Sequence, residues 1–69
     1  MERTPVDSTN IASVGHEESS GVLEIEFTNG TLYQYFDVPR HVYDELKGAP
    51  SPGGYLAANI KGNYRFSRV

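Results

Sequence analysis

The residues with the strongest chemical suggestion are two tyrosines spaced i, i+2, in Tyr33-Gln34-Tyr35. On a strand that spacing puts both rings on one face. There they could form a stacking platform for unpaired bases, as aromatic pairs do on RNA-binding sheets; alternatively, both rings pack beneath helices. A second candidate is the segment Lys61-Gly62-Asn63-Tyr64-Arg65-Phe66-Ser67-Arg68. It interleaves Lys61, Arg65 and Arg68 with Tyr64 and Phe66, the composition of a nucleic-acid contact strand. The plainer account is a solvated edge strand whose charges discourage aggregation. A third is Ser51-Pro52-Gly53-Gly54, which opens a helix without bulky side chains. Free backbone N–H groups around Ser51 and Gly53 could hold a phosphate, or Ser51 could simply cap the helix.

Catalytic chemistry is not indicated. A nucleophile needs a base beside it, yet the two histidines, His16 and His41, fall on different elements and no serine stands in a strand-to-helix elbow. Metal sites need converging ligands. His16-Glu17-Glu18 is a run of consecutive turn residues, which seldom converge on one ion. No enzyme activity, cofactor or metal is therefore expected.

The elements that must position these residues can be read from pattern. Residues 1–7 contain Pro5 and no apolar periodicity, and read as a flexible arm before a single domain spanning 8–69. Asn10 to His16 is a short strand candidate, and Glu17 to Gly21 a turn. Val22 to Thr28 alternates strictly, with Leu23, Ile25 and Phe27 against Glu24 and Glu26, so it is a half-buried strand. Asn29-Gly30 is a hairpin signal, and Thr31 to Asp37 is the return strand. A two-residue turn there pairs Ile25 with Gln34 and Leu23 with Phe36, and sets both tyrosines beside Glu24 and Glu26. A three-residue turn pairs Ile25 with Tyr33 and Leu23 with Tyr35, and sets the tyrosines in the core. The first is expected, because it misplaces only Gln34; the neighbouring carboxylates would then repel phosphate.

Pro39 suits a first helical turn. Val38, Val42, Tyr43 and Leu46 form one apolar stripe, and Gly48 is expected just past the helix end, with Pro50 barring continuation. Ser51 and Pro52 start a second short helix with Tyr55, Leu56 and Ile60 on its apolar face, ended by Gly62. Asn63 to Val69 alternates again and could be a final edge strand. The fold class is thus α+β, a small antiparallel sheet of three to four strands with two short helices packed on it.

Composition bounds the rest. Sixty-nine residues allow one thin-cored domain, and 38% hydrophobic content is too apolar for disorder. There is no cysteine, so disulfides and thiolate zinc sites are excluded and a cytoplasmic home is the natural expectation. The apolar runs are far too short to span a membrane, and the N-terminal residues lack a secretory pattern. The net charge is −3, but it is unevenly spread. Residues 1–37 hold seven acids and one base, net −6, and residues 38–69 hold five bases and two acids, net +3. This is either a basic face in the second half or ordinary scatter.

Taken in order, these landmarks resemble the KTSC domain. The resemblance runs from Val6-Asp7-Ser8-Thr9-Asn10-Ile11 through Val14-Gly15-His16-Glu17, Leu23, Phe27, Gly30 and the central Tyr33-Gln34-Tyr35. It continues through Val38-Pro39, Val42-Tyr43, Leu46, Ala49 to Tyr55, Ile60 and Tyr64, covering nearly the whole chain. Pro52 and Gly54 stand where that family often carries Lys or Arg. The family occurs at the C-terminus of some lysyl-tRNA synthetases and as free-standing small proteins. The resemblance implies a small non-catalytic binding module, with RNA suggested by attachment to a synthetase. The alternative is a protein–protein module or structural adaptor. Either would work as a monomer or weak dimer. If RNA is bound, the residues expected to carry it are Tyr33, Tyr35, Ser51, Gly53, Lys61, Tyr64, Arg65 and Arg68.

Overall fold

The computed structural model describes residues 1–69. Five strands form one antiparallel sheet in chain order: β1 (Thr4–Pro5), β2 (Ile11–Glu17), β3 (Val22–Phe27), β4 (Leu32–Tyr35) and β5 (Phe66–Arg68). Between β4 and β5 the chain forms α1 (Arg40–Gly48) and α2 (Pro52–Tyr55), and α2 runs directly into a π turn, Leu56–Ile60. This is the expected α+β class with one strand more than the upper count. The extra strand comes from the segment expected as an arm: Thr4 and Pro5 pair with Val14 and Ser13. Pro5, which cannot donate to a ladder, sits on this edge.

Strand β3 keeps its alternation, and Leu23 and Ile25 are fully buried. Across it, β2 does not alternate, because an irregularity between Ile11 and Ser13 breaks its register. Ile11 faces Phe27 and Val14 faces Ile25, so two residues three apart share the core face, as a bulge requires.

The hairpin between β3 and β4 differs from the expected one. Leu23 pairs with Tyr35 and Ile25 with Tyr33, the register of a three-residue loop rather than a two-residue one. Thr28-Asn29-Gly30 forms that loop. Phe27 N–H donates to Thr31 C=O at 2.9 Å, and Gly30 N–H donates to Phe27 C=O at 2.9 Å. Of the three loop residues only Gly30 has positive φ, at 90°, as in a tight turn closed by a left-handed glycine. Asn29 instead accepts from Thr31 N at 3.0 Å and Thr31 Oγ1 at 2.7 Å through Oδ1. That side-chain turn favours the longer loop and overrides the cost of facing Leu32 outward. The tyrosines therefore lie on the helix side, opposite Glu24 and Glu26.

Helix α1 buries the expected stripe of Val42, Tyr43 and Leu46, with Val38 just before it. Pro39 is the residue before the first turn and not in it. Gly48 lies within the helix, not beyond it; the exit is made by Ala49 in an extended conformation ahead of Pro50, which disfavours helix at the preceding residue. Ser51 caps α2 as expected, its Oγ accepting from Gly54 N at 3.2 Å. The π turn is closed by Lys61 N–H donating five residues back to Leu56 C=O at 2.9 Å. Leu56 and Ile60 close the core over the sheet, and Gly62 (φ 83°) turns the chain towards β5. No helix is long and apolar enough to cross a membrane.

Candidate functional site

The side of the sheet that carries the helices is not fully covered. Near β4 and β5 an open groove of about 440 Å³ remains. Its floor is aromatic. Tyr33 stacks on Phe66 with centroids 5.6 Å apart and 27° between planes, and on Tyr35 at 6.5 Å and 24°. Phe27 meets Tyr33 edge-on at 5.5 Å. The β4–β5 register brings these rings together, pairing Tyr35 with Phe66 and Tyr33 with Arg68, so Phe66 and Arg68 share the tyrosines' face.

Exposure separates the rings. Tyr35 is only 2% exposed. Burial, with a smaller contribution from neighbouring Tyr33, pushes its phenol above the ordinary value. It supports the floor from below and offers no free face. Tyr33 is half-buried, and Phe66 is 58% exposed. The accessible platform is therefore Phe66 with part of Tyr33, while Tyr35 packs in the core, the alternative that the sequence left open for these rings.

Asn29, Thr31, Lys61 and Gly62 complete the lining of the groove. The π turn delivers Lys61 to this lining. The bonds from Thr31 N and Oγ1 hold the Asn29 side chain by its Oδ1. Arg68 stands on the groove side of β5, exposed.

Arg65 pairs with Asp37 at 3.2 Å, both side chains about four-fifths exposed. Its guanidinium lies 5.9 Å from the Phe36 ring centroid. So exposed an ion pair contributes little and exchanges readily. Tyr64 is half-buried and packs against the core.

Ser51 and Gly53 fall elsewhere. They line a polar cleft of about 280 Å³ formed by residues 7–10 and 50–54, with no basic side chain in its walls. Ser51 Oγ is already engaged by the helix cap. Of the eight residues singled out, Tyr33, Tyr35 and Lys61 line the groove, Arg68 flanks it, Tyr64 and Arg65 line an adjoining depression, and Ser51 and Gly53 are apart. The contributions of Phe27, Asn29 and Thr31 escape a reading by composition. The signal that points to them is the alternative hairpin register, which puts Tyr33 opposite Ile25.

The outer face of the sheet is a different surface. Glu24 accepts from Arg3 Nη1 and Gln34 Nε2, both at 3.0 Å, and Glu26 accepts from Ser13 Oγ at 2.9 Å. The Glu2 carbonyl and the Met1 and Arg3 side chains lie over Gly15, where a Cβ would stand 2.6 Å from Glu2 C=O. His16 is held in the structure by one ring nitrogen, its Nδ1 being buried without a partner. Its Nε2 bonds Val38 C=O at 2.7 Å, and its ring stacks on Tyr43 at 5.5 Å. His41 is exposed on α1, away from it in the chain.

Known proteins share this sequence pattern and this fold. The family model of the KTSC domain matches residues 7–64. The chain belongs to the KTSC domain family. A crystal structure of a KTSC domain protein from Yersinia pestis superposes with a TM-score of 0.92 at 33% identity, covering 99% of this chain and 96% of that one. A protein from Tsukamurella paurometabola is 34% identical over 61 residues, 88% of this chain and 91% of its own length. A lysine–tRNA ligase from Nostoc punctiforme is 37% identical over 59 residues. Those residues are 86% of this chain but only 10% of the ligase, so the KTSC chain corresponds to a small part of that enzyme.

Proposed function

We propose that this KTSC domain is a non-catalytic cytoplasmic binding module for single-stranded RNA, and that the aromatic groove takes an unpaired base. The observation that carries the reading is Phe66, 58% exposed and stacked on Tyr33, beside Lys61 and Arg68 and on the face opposite Glu24 and Glu26. Aromatic rings supply base stacking, and nearby cations supply phosphate affinity. The acids of this net −3 chain that sit on the sheet face outward, so they do not oppose a phosphate at the groove. The similarity to part of a ligase named for a tRNA substrate supports RNA as the polymer.

The test is an NMR titration with short single-stranded RNA at low salt. Binding should be weak, roughly micromolar to millimolar at physiological salt. Shifts should concentrate on residues 27–36 and 61–68. With about three phosphate contacts the log–log salt slope should be near −2, at about −0.7 per contact on a single strand. Replacing Lys61, Arg65 and Arg68 together by Ser should abolish binding and leave the fold intact. A second reading, a protein partner, is favoured by one observation: β5 is a free sheet edge with Phe66 and Val69 exposed, the arrangement that accepts an added strand. Absence of RNA shifts, with association that ignores salt, would transfer the assignment to it.

A further inference from the structure

The groove is the middle of three adjoining depressions. Towards the hairpin loop it shares Phe27, Asn29 and Lys61 with a recess of about 350 Å³ that also includes Asn10. On the other side it shares Gly62 and Phe66 with a depression of about 570 Å³ lined by Phe36, Tyr64 and Arg65. Each has at least one aromatic ring in its wall, and each is large enough for a small ligand group. The cations are placed in step with them: Lys61 belongs to the first and second, and Arg65 to the third.

We infer that the segment from Lys61 to Phe66 and the rings beneath it form a track for about three consecutive nucleotides. Lys61 meets the phosphate between the first two bases, and Arg65 the phosphate entering the third position. This rests on the RNA reading above and adds a site size, a path and a role for each cation. A base in each depression stacks on the nearest ring, Phe27, then Phe66 with Tyr33, then Phe36 or Tyr64. Stacking tolerates any base, since every base has a π face. Arg65 is available because its bond to Asp37 is solvated on both sides and can be exchanged for a phosphate at little cost.

The test is a titration of the intact chain with oligouridylates of one to six nucleotides, read by NMR shifts at fixed low salt. Affinity should rise by about fivefold or more with each nucleotide up to the third, and change little from the fourth to the sixth. Asp37 has φ 58°, so Asp37→Asn keeps a residue that tolerates positive φ and removes the competing carboxylate. It should tighten the trinucleotide by about twofold, the worth of a solvated ion pair, and leave the mononucleotide unchanged. Affinity that is flat from one nucleotide onward would overturn the track while leaving RNA binding in place. An equal gain at every length up to six would overturn the three-position limit. An Asp37→Asn effect identical for mono- and trinucleotide would remove Arg65 from the third position. No binding at any length would remove the track and the RNA reading together.

Discussion

Replacing Phe66 by Ala separates what the groove does for binding from what it does for folding. The ring is 58% exposed, so roughly two-fifths of its burial is lost, about 1 kcal/mol from an apolar side chain worth about 1.5–3 kcal/mol when fully buried. Its stack on Tyr33 at 5.6 Å and its tilted contact with Tyr35 at 5.7 Å add about 0.5–1.5 kcal/mol. The total is about 1.5–2.5 kcal/mol. At about 0.05–0.15 kcal/mol per residue, a 69-residue domain holds roughly 3–10 kcal/mol, so the variant remains folded. Loss of a stacked base, by contrast, costs about 1–3 kcal/mol of binding, about five- to 150-fold in Kd. A folded fraction near one cannot produce that loss through instability. Urea denaturation followed by circular dichroism measures the first quantity, and RNA titration of the folded variant the second. The salt slope should be unchanged in Phe66→Ala, since no charge is removed, and should fall by about 0.7 in Lys61→Ser. A folded Phe66→Ala protein that binds RNA as tightly as the parent would refute the groove as the site.

The remaining predictions concern the scaffold. Leu46 is fully buried, and Leu46→Ala should cost roughly 2–5 kcal/mol through lost burial and a residual cavity, enough to unfold much of the population; circular dichroism showing parental stability would place Leu46 outside the core. Gly30 has φ 90° and open space, with no atom within 4 Å, where a β-carbon would stand, so Gly30→Val should lose about 1 kcal/mol or more through backbone strain alone, and an unchanged melting temperature would exclude the left-handed turn. Tyr55 donates to Glu45 Oε1 at 2.6 Å, and this bond, which ionisation breaks, pushes its phenol up to about 12 from 10.0. The stabilisation is therefore present below pH 10 and lost as pH rises through about 12. Near-ultraviolet titration should show a tyrosine ionising near pH 12, beside the raised Tyr35, and that component should disappear in Tyr55→Phe; a profile identical to the parent would mean the bond does not form.

Much of this architecture is legible in the sequence where periodicity and side-chain chemistry agree. Leu23, Ile25 and Phe27 alternate as a half-buried strand must, Val42, Tyr43 and Leu46 recur as a helix stripe must, and Ser51 caps the next helix as its hydroxyl allows. Three features are not legible, each because two conformations satisfy the same pattern. The bulge in β2 puts Ile11 and Val14 on one face at a spacing that fits neither a strand nor a full helical turn. Leu56 and Ile60, four apart, serve an α turn as well as a π turn, and only the bond from Lys61 N–H to Leu56 C=O distinguishes them. Gly48 suggests a left-handed exit, yet Pro50 ends α1 without one. The groove is harder still, because Phe27, Asn29, Tyr33, Lys61 and Phe66 belong to separate segments. Only the strand register and the turn after Ile60 bring them together.

That register also decides which charges the groove meets. With a two-residue loop, Tyr33 and Tyr35 would share a face with Glu24 and Glu26, whose carboxylates would repel a phosphate drawn to the rings. With the three-residue loop closed at Gly30, the carboxylates point to the outer face, where Arg3, Gln34 and Ser13 hold them. Tyr33 then meets Arg68 across β5, with Lys61 at the rim of the same groove. A shift of one residue exchanges the two faces of a strand, so one loop residue separates an acidic aromatic surface from one flanked by cations. The same shift would move Tyr35 out of the core and Phe36 into it. The Asn29 turn selects the register, and the charge separation follows from that choice. The separation leaves a chain of net charge −3 with its aromatic groove beside Lys61 and Arg68 and away from Glu24 and Glu26.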